Sequence, residues 1–152
     1  MTRINLVHVK DLADQHLFAE WREIKMVPAA LRRSLKTRNI DNILAGIPKR
    51  YTLNKGHVTF FFNKMQFLTE RYKLLTAELI SREYNINTED DFRIFCGDLP
   101  AEFRHVEWHP DEQEIAVNVE RILLRISEKP QWYRHYGNTE SLSFFKEAYG
   151  VE

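Results

Sequence analysis

At 152 residues, with 43% hydrophobic residues, five glycines and five prolines, the chain has the size and composition of one globular domain with a real core. These figures argue against a collagen-like or disordered chain, and without a run of about 18 apolar residues no membrane-spanning helix is expected. A net charge of zero argues against a nucleic-acid binder, but the charge is unevenly spread along the chain.

The opening residues carry Arg3, Asn5 and Lys10 among apolar neighbours, so no signal-peptide core is expected. The first helix is expected to begin near Asp14, a good N-cap residue. Leu17, Trp21, Ile24, Leu31 and Leu35 recur at helical spacing as its buried stripe. His16, Glu20 and Glu23 fall at i, i+4 and i+7, which places them together on another face. Pro28 predicts a kink one turn beyond Glu23, because it lacks a backbone donor and crowds the carbonyl of Ile24. Residues 38–56 read as loop, with Asn39, Asp41, Asn42, Gly46, Pro48, Asn54 and Gly56. Up to position 57 there are eleven basic residues against five acidic ones.

A second helix is predicted from about His57 to Arg82, burying Phe61, Met65, Leu68, Tyr72, Leu75 and Leu79, with Val58 and Phe62 widening the stripe. Residues 83–120 are acidic, with eleven carboxylates against Arg93 and Arg104, and have room for a short helix around Thr88–Phe95. The third helix is expected to start near Pro110, with Ile115, Val119, Ile122 and Ile126 buried. Arg121 and Arg125 form an i, i+4 pair on a different face, suited to adjacent phosphates and equally to ordinary helix surface. Pro130 ends that helix. Trp132, Tyr133, Arg134, His135 and Tyr136 then form a dense aromatic and basic run, fit either for base stacking and phosphate contact or for capping the core. One more short helix is expected within Asn138–Glu152.

Other chemistry is weakly signalled. His105 and His109 around Glu107 fall short of a zinc signature, and there is neither a Gly-rich phosphate loop nor a nucleophile elbow, so no metal and no cofactor are expected. The single cysteine, Cys96, reads as a small buried hydrophobe and suits a reducing compartment. The cytoplasm is the expected location.

Several separated segments, in order, resemble the small phage-type pyrimidine-dimer DNA glycosylases with abasic-site lyase activity, long called endonuclease V. They are Thr2-Arg3-Ile4-Asn5-Leu6, Leu12-Ala13-Asp14-Gln15-His16-Leu17, Arg22-Glu23, Gly56-His57-Val58-Thr59-Phe60-Phe61, Pro100-x-Glu102-Phe103-Arg104 and Trp132-Tyr133-x-x-Tyr136-Gly137. The resemblance covers most of the chain. It implies an all-α fold: a compact single domain, 1–152, of three main helices with the N-terminal segment threaded between them and 138–152 as a C-terminal extension.

The resemblance also implies excision of cyclobutane pyrimidine dimers. After removal of Met1, the α-amine of Thr2 would be the nucleophile and Glu23 the acid/base group, with β-elimination following an imine. Arg3, Gln15, His16, Arg22, Arg121 and Arg125 would contact DNA near the lesion, and Trp132, Tyr133, Arg134 and Tyr136 would hold the damaged strand. The implied partner is double-stranded DNA containing a lesion, bound by a monomer that associates with the nucleoid through DNA, with neither a membrane nor a protein partner. The same mechanism on an oxidised or ring-opened purine, or a damaged-DNA-binding module without catalysis, are the competing readings. Met26 stands where the family commonly has an arginine, the 85–108 connection is long, and the neutral charge is low for this family.

Overall fold

Helices supply almost all the regular structure of the computed structural model, which describes residues 3–152. The first predicted helix is two helices, α1 (Asp14–Glu23) and α2 (Met26–Leu35). The chain breaks directly after Glu23 rather than one turn later, and Pro28 is the third residue of α2. In a first turn its missing N–H has no intrahelical partner to lose, so the proline follows the break instead of kinking a continuous helix. Leu17, Ile24 and Leu31 are fully buried, as their spacing predicts, while Trp21 and Leu35 are only partly covered.

Asp14 is not the N-cap. Ala13 holds that position without a side-chain bond, and the Asp14 carboxylate is taken up by Arg82 at 2.9 Å and by two backbone N–H groups near the C-terminus. Arg82 also donates to Glu78 and to the carbonyls of Val9, Lys10 and Leu12, so the buried guanidinium holds the entry into α1. Within the expected 38–56 loop lies a further helix, α3 (Ile40–Ala45), capped by the Asn39 side chain, which accepts from the Asn42 N–H at 2.8 Å.

The second predicted helix is interrupted too. α4 (His57–Phe60) runs into a 3-10 turn, Phe61–Asn63, before α5 (Met65–Ser81). At the break, Lys64 leaves helical geometry and its Nζ donates to the Phe60 carbonyl at 2.9 Å, 3.8 Å from the Phe60 ring centroid. The apolar stripe survives because Met65, Leu68, Tyr72, Leu75 and Leu79 all stay buried along α5. Full burial of such a side chain contributes about 1.5–3 kcal/mol.

Short helices α6 (Arg93–Cys96) and α7 (Ala101–Arg104) interrupt the acidic stretch. α8 (Glu112–Glu128) starts at a capping box in which Asp111 accepts from the Glu114 N–H and Glu114 accepts from the Asp111 N–H. Its Val119, Ile122 and Ile126 are buried, with Ile115 partly so.

The aromatic run turns into a small antiparallel hairpin, β1 (Arg134–His135) and β2 (Asn138–Thr139). Tyr136 and Gly137 both have positive φ, 53° and 82°, the backbone of a two-residue hairpin turn. Their N–H groups donate to Asp14, which helps hold a tyrosine in a conformation that disfavours it. α9 (Leu142–Ala148) then packs on α8 with Phe145 fully buried. No helix among the described residues is long and apolar enough to cross a membrane.

Candidate active site

Ile4 to Val7 belong to no helix or strand, and several of their backbone polar groups pair with side chains. The Leu6 N–H donates to Asn118 Oδ1 at 2.7 Å, and Arg71 Nη1 donates to the Val7 carbonyl at 2.6 Å. The Asn5 side chain donates to Glu20 Oε1 and accepts from Asn118 Nδ2, both at 2.9 Å. Arg71 grips Glu20 from the other side, with Nε 2.7 Å from Oε2 and Nη2 3.1 Å from Oε1. Helices α1, α5 and α8 therefore all hold this stretch.

At its upstream end a cavity of about 280 Å³ is lined by Arg3, Asn5, His16, Ala19, Glu20, Glu23, Arg125 and Tyr133. Five of the residues selected from sequence meet there: Arg3, His16, Glu23, Arg125 and Tyr133. His16, Glu20 and Glu23 share one helix face, as their spacing requires, and all three reach the cavity. Glu20 is committed to Arg71 and Asn5. The Glu23 carboxylate, at the last position of α1, has no hydrogen-bond or ion-pair partner among the described residues. Thr2, chosen as the nucleophile, lies outside the described residues, immediately upstream of Arg3.

The cavity lining sets the guanidiniums of Arg3 and Arg125 beside the carboxylates of Glu20 and Glu23. Burial and the neighbouring Arg121 and Arg125 guanidiniums hold Arg3 below the usual arginine range. Among the described residues, Arg121 Nη1 donates to Asn54 and Arg125 Nη1 to Glu128, and Arg121 itself does not line the cavity. Burial, then Arg3 and Arg125, push His16 down to about 4, so its ring is neutral at pH 7. Its ring lies 4.7 Å from that of Tyr133, and its Nδ1 is buried without a hydrogen-bond partner among the described residues, an atom of the kind a ligand completes.

The other selected residues lie around this centre. Gln15 Nε2 donates to the Trp132 carbonyl at 2.8 Å and its Oε1 accepts from the Arg134 N–H at 3.0 Å, so its amide binds the hairpin arm. Trp132 is 50% exposed, with Lys129 Nζ 4.7 Å from its ring. Arg134 is exposed on β1. Tyr136 is partly exposed but tethered, its hydroxyl donating to Glu78 and its face covered by Arg82. Arg22 is exposed over the Phe18 ring and does not line the cavity.

Sequence reading assigned no role to Asn5, Glu20, Arg71 or Asn118. Glu20 had one advance signal, the face it shares with His16 and Glu23; the pairing with Arg71, Asn5 and Asn118 had none, because these partners lie far apart in sequence. A larger cavity of about 670 Å³, between α5 and residues 88–93, contains none of the selected residues. A family model described as pyrimidine dimer DNA glycosylase matches residues 1–92, a stretch that includes Arg3, His16 and Glu23 and ends before α8.

Proposed function

Because this chain belongs to the pyrimidine dimer DNA glycosylase family, we propose that it excises cyclobutane pyrimidine dimers and then cuts the DNA strand through its own N-terminal amine. One observation carries the reading: the carboxylate of Glu23, without a partner among the described residues, shares a cavity with Arg3, and Thr2 is the very next residue upstream. Adjacent Cα atoms are about 3.8 Å apart, so an amine on Thr2 is within one residue of the cavity wall.

An N-terminal amine suits the task. With a pKa of about 7.7–8.0, roughly one in seven is neutral at pH 7, against roughly one lysine side chain in 2,500. After Met1 is removed, the Thr2 nitrogen attacks C1′ of the deoxyribose. The N–C1′ bond forms as the glycosidic bond breaks, and the departing base takes up a proton. Protonation of the ring oxygen opens the sugar to an imine, loss of a proton from C2′ follows, and the C3′–O bond breaks with the phosphate as leaving group. Glu23 stabilises the cationic sugar and relays these protons. Arg3, Arg121 and Arg125 bind the flanking phosphates, and the exposed Trp132 face stacks on the strand. Opening the duplex for this chemistry costs unstacking energy, which these contacts offset.

Borohydride trapping tests the reading. An imine is reduced to a stable protein–DNA adduct on dimer-containing and abasic duplexes; no adduct on either refutes it. Glu23→Gln should abolish cleavage while damaged-DNA affinity stays within a few-fold. An intact mass lacking methionine would support Thr2 as the terminus.

A further inference from the structure

We propose that His57 and Tyr51 are positioning residues for this reaction, pinning both backbone polar groups of Ile4 and thereby fixing where the amino end meets Glu23; the proposal rests on the Thr2 amine being the nucleophile. The Ile4 N–H donates to His57 Nε2 at 2.8 Å, and the Tyr51 hydroxyl donates to the Ile4 carbonyl at 2.9 Å. All three residues are buried, with His57 2% and Tyr51 5% exposed.

Each clamp residue is itself held. His57 Nδ1 donates to the Thr52 carbonyl at 2.8 Å, the tautomer that leaves the Nε2 lone pair for Ile4. The Tyr51 N–H donates to Glu114 Oε2 at 2.8 Å, which ties it to the α8 capping box. The two rings meet edge-on at 5.4 Å. Gly56, with φ 88°, makes the turn that places His57 at the start of α4, and a Cβ there would sit 3.2 Å from Pro48 Cγ.

A single hydrogen bond would satisfy a buried N–H and leave the chain free to pivot. Two bonds to opposite sides of one residue fix the orientation of its peptide planes as well. Two residues of chain span at most about 7 Å, so fixing Ile4 limits how far from it the amino end can reach. A misplacement of about 1 Å at a reacting centre costs on the order of 100-fold in rate. Neutral His57 is required, since a protonated ring would turn Nε2 into a donor facing another donor. Burial holds its pKa below the ordinary histidine value against the raising effect of the Thr52 carbonyl, and the charges facing it, Arg3 from the N-terminal stretch and Arg121 from α8, also lower it.

The test is single-turnover borohydride trapping on an abasic duplex at saturating protein, alongside the Kd for the same duplex and the melting temperature. Tyr51→Phe keeps the ring and its edge contacts and should slow trapping at least ten-fold, with Kd within two-fold of wild type. His57→Leu should behave alike, and His57→Gln, whose amide oxygen can still accept from Ile4, should recover most of the rate. Tyr51→Phe trapping at the wild-type rate, or losing rate and affinity in parallel, overturns the positioning role while leaving the mechanism intact. A wild-type protein that forms no adduct overturns both. If His57→Leu fails to fold, Tyr51→Phe decides alone.

Discussion

Replacing Arg71 by Met leaves the Glu20 carboxylate in place and removes its main partner. Arg71 and Glu20 side chains are 6% and 0% exposed, and the guanidinium makes two contacts to the carboxylate plus one to the Val7 carbonyl. After the substitution, the Asn5 amide is the remaining hydrogen-bond donor to Glu20. Breaking a buried pair from one side costs about 3–5 kcal/mol, because the remaining charge is stranded in a poorly solvated site. For a chain of this length that corresponds to a fall of roughly 6–20 °C in melting temperature. Urea unfolding followed by tryptophan fluorescence at pH 7 measures the loss. Adding Glu20→Gln to Arg71→Met removes the stranded charge and should recover more than half of it. As a control, Arg93→Met deletes the fully exposed pair with Asp91 and should leave the midpoint unaltered. If Arg71→Met costs less than about 1 kcal/mol, or if the double variant is no better than the single one, the buried-charge argument fails.

His16 has a folded-state pKa of about 4, below the ordinary value, so the unfolded chain takes its proton first. Stability is fully present above about pH 6.5 and falls by up to about 3 kcal/mol as pH drops to 4; His16→Phe should flatten that slope in urea titrations at a series of pH values. Lys64, lowered to about 8 chiefly by burial, works at the other end of the scale. Between about pH 8 and 10.4 the unfolded chain holds the extra proton, so wild type should gain stability relative to Lys64→Met as pH rises through this window. Trp132→Ala should weaken damaged-duplex binding by roughly 5- to 150-fold, equivalent to about 1–3 kcal/mol of stacking, with an unchanged melting temperature because the ring is half exposed. An equal Kd for the variant would remove Trp132 from the interface.

The parts of the fold written in local periodicity were legible in the sequence. Met65 to Leu79 and Val119 to Ile126 bury the stripes their spacing predicts, and Arg121 and Arg125 sit together beside Arg3. The breaks were not legible, because both preserve the buried face: the chain resets after Glu23 and again at Lys64 without interrupting the apolar pattern. Asp14 misled for a related reason. A carboxylate before a helical stripe suits a cap, but Arg82 and the hairpin turn, 68 and more residues away, compete for it and win. The short hairpin has too few residues to show alternation. Within the site, the shared face of His16, Glu20 and Glu23 followed from spacing alone. The division of labour between the two carboxylates did not, since only the fold brings Arg71 to Glu20 and leaves Glu23 unclaimed among the described residues.

The Gln15 amide, bonded to the backbone on either side of Tyr133, joins the exposed Trp132 arm to α1 at two points. Helix α1 carries both His16 and Glu23, so the arm that bears the tryptophan ring is anchored on the helix that bears the carboxylate. If the proposed function holds, a strand stacked on Trp132 would rest on the same helix that presents Glu23 to the cavity, and binding outside the cavity would bear on the chemistry within it.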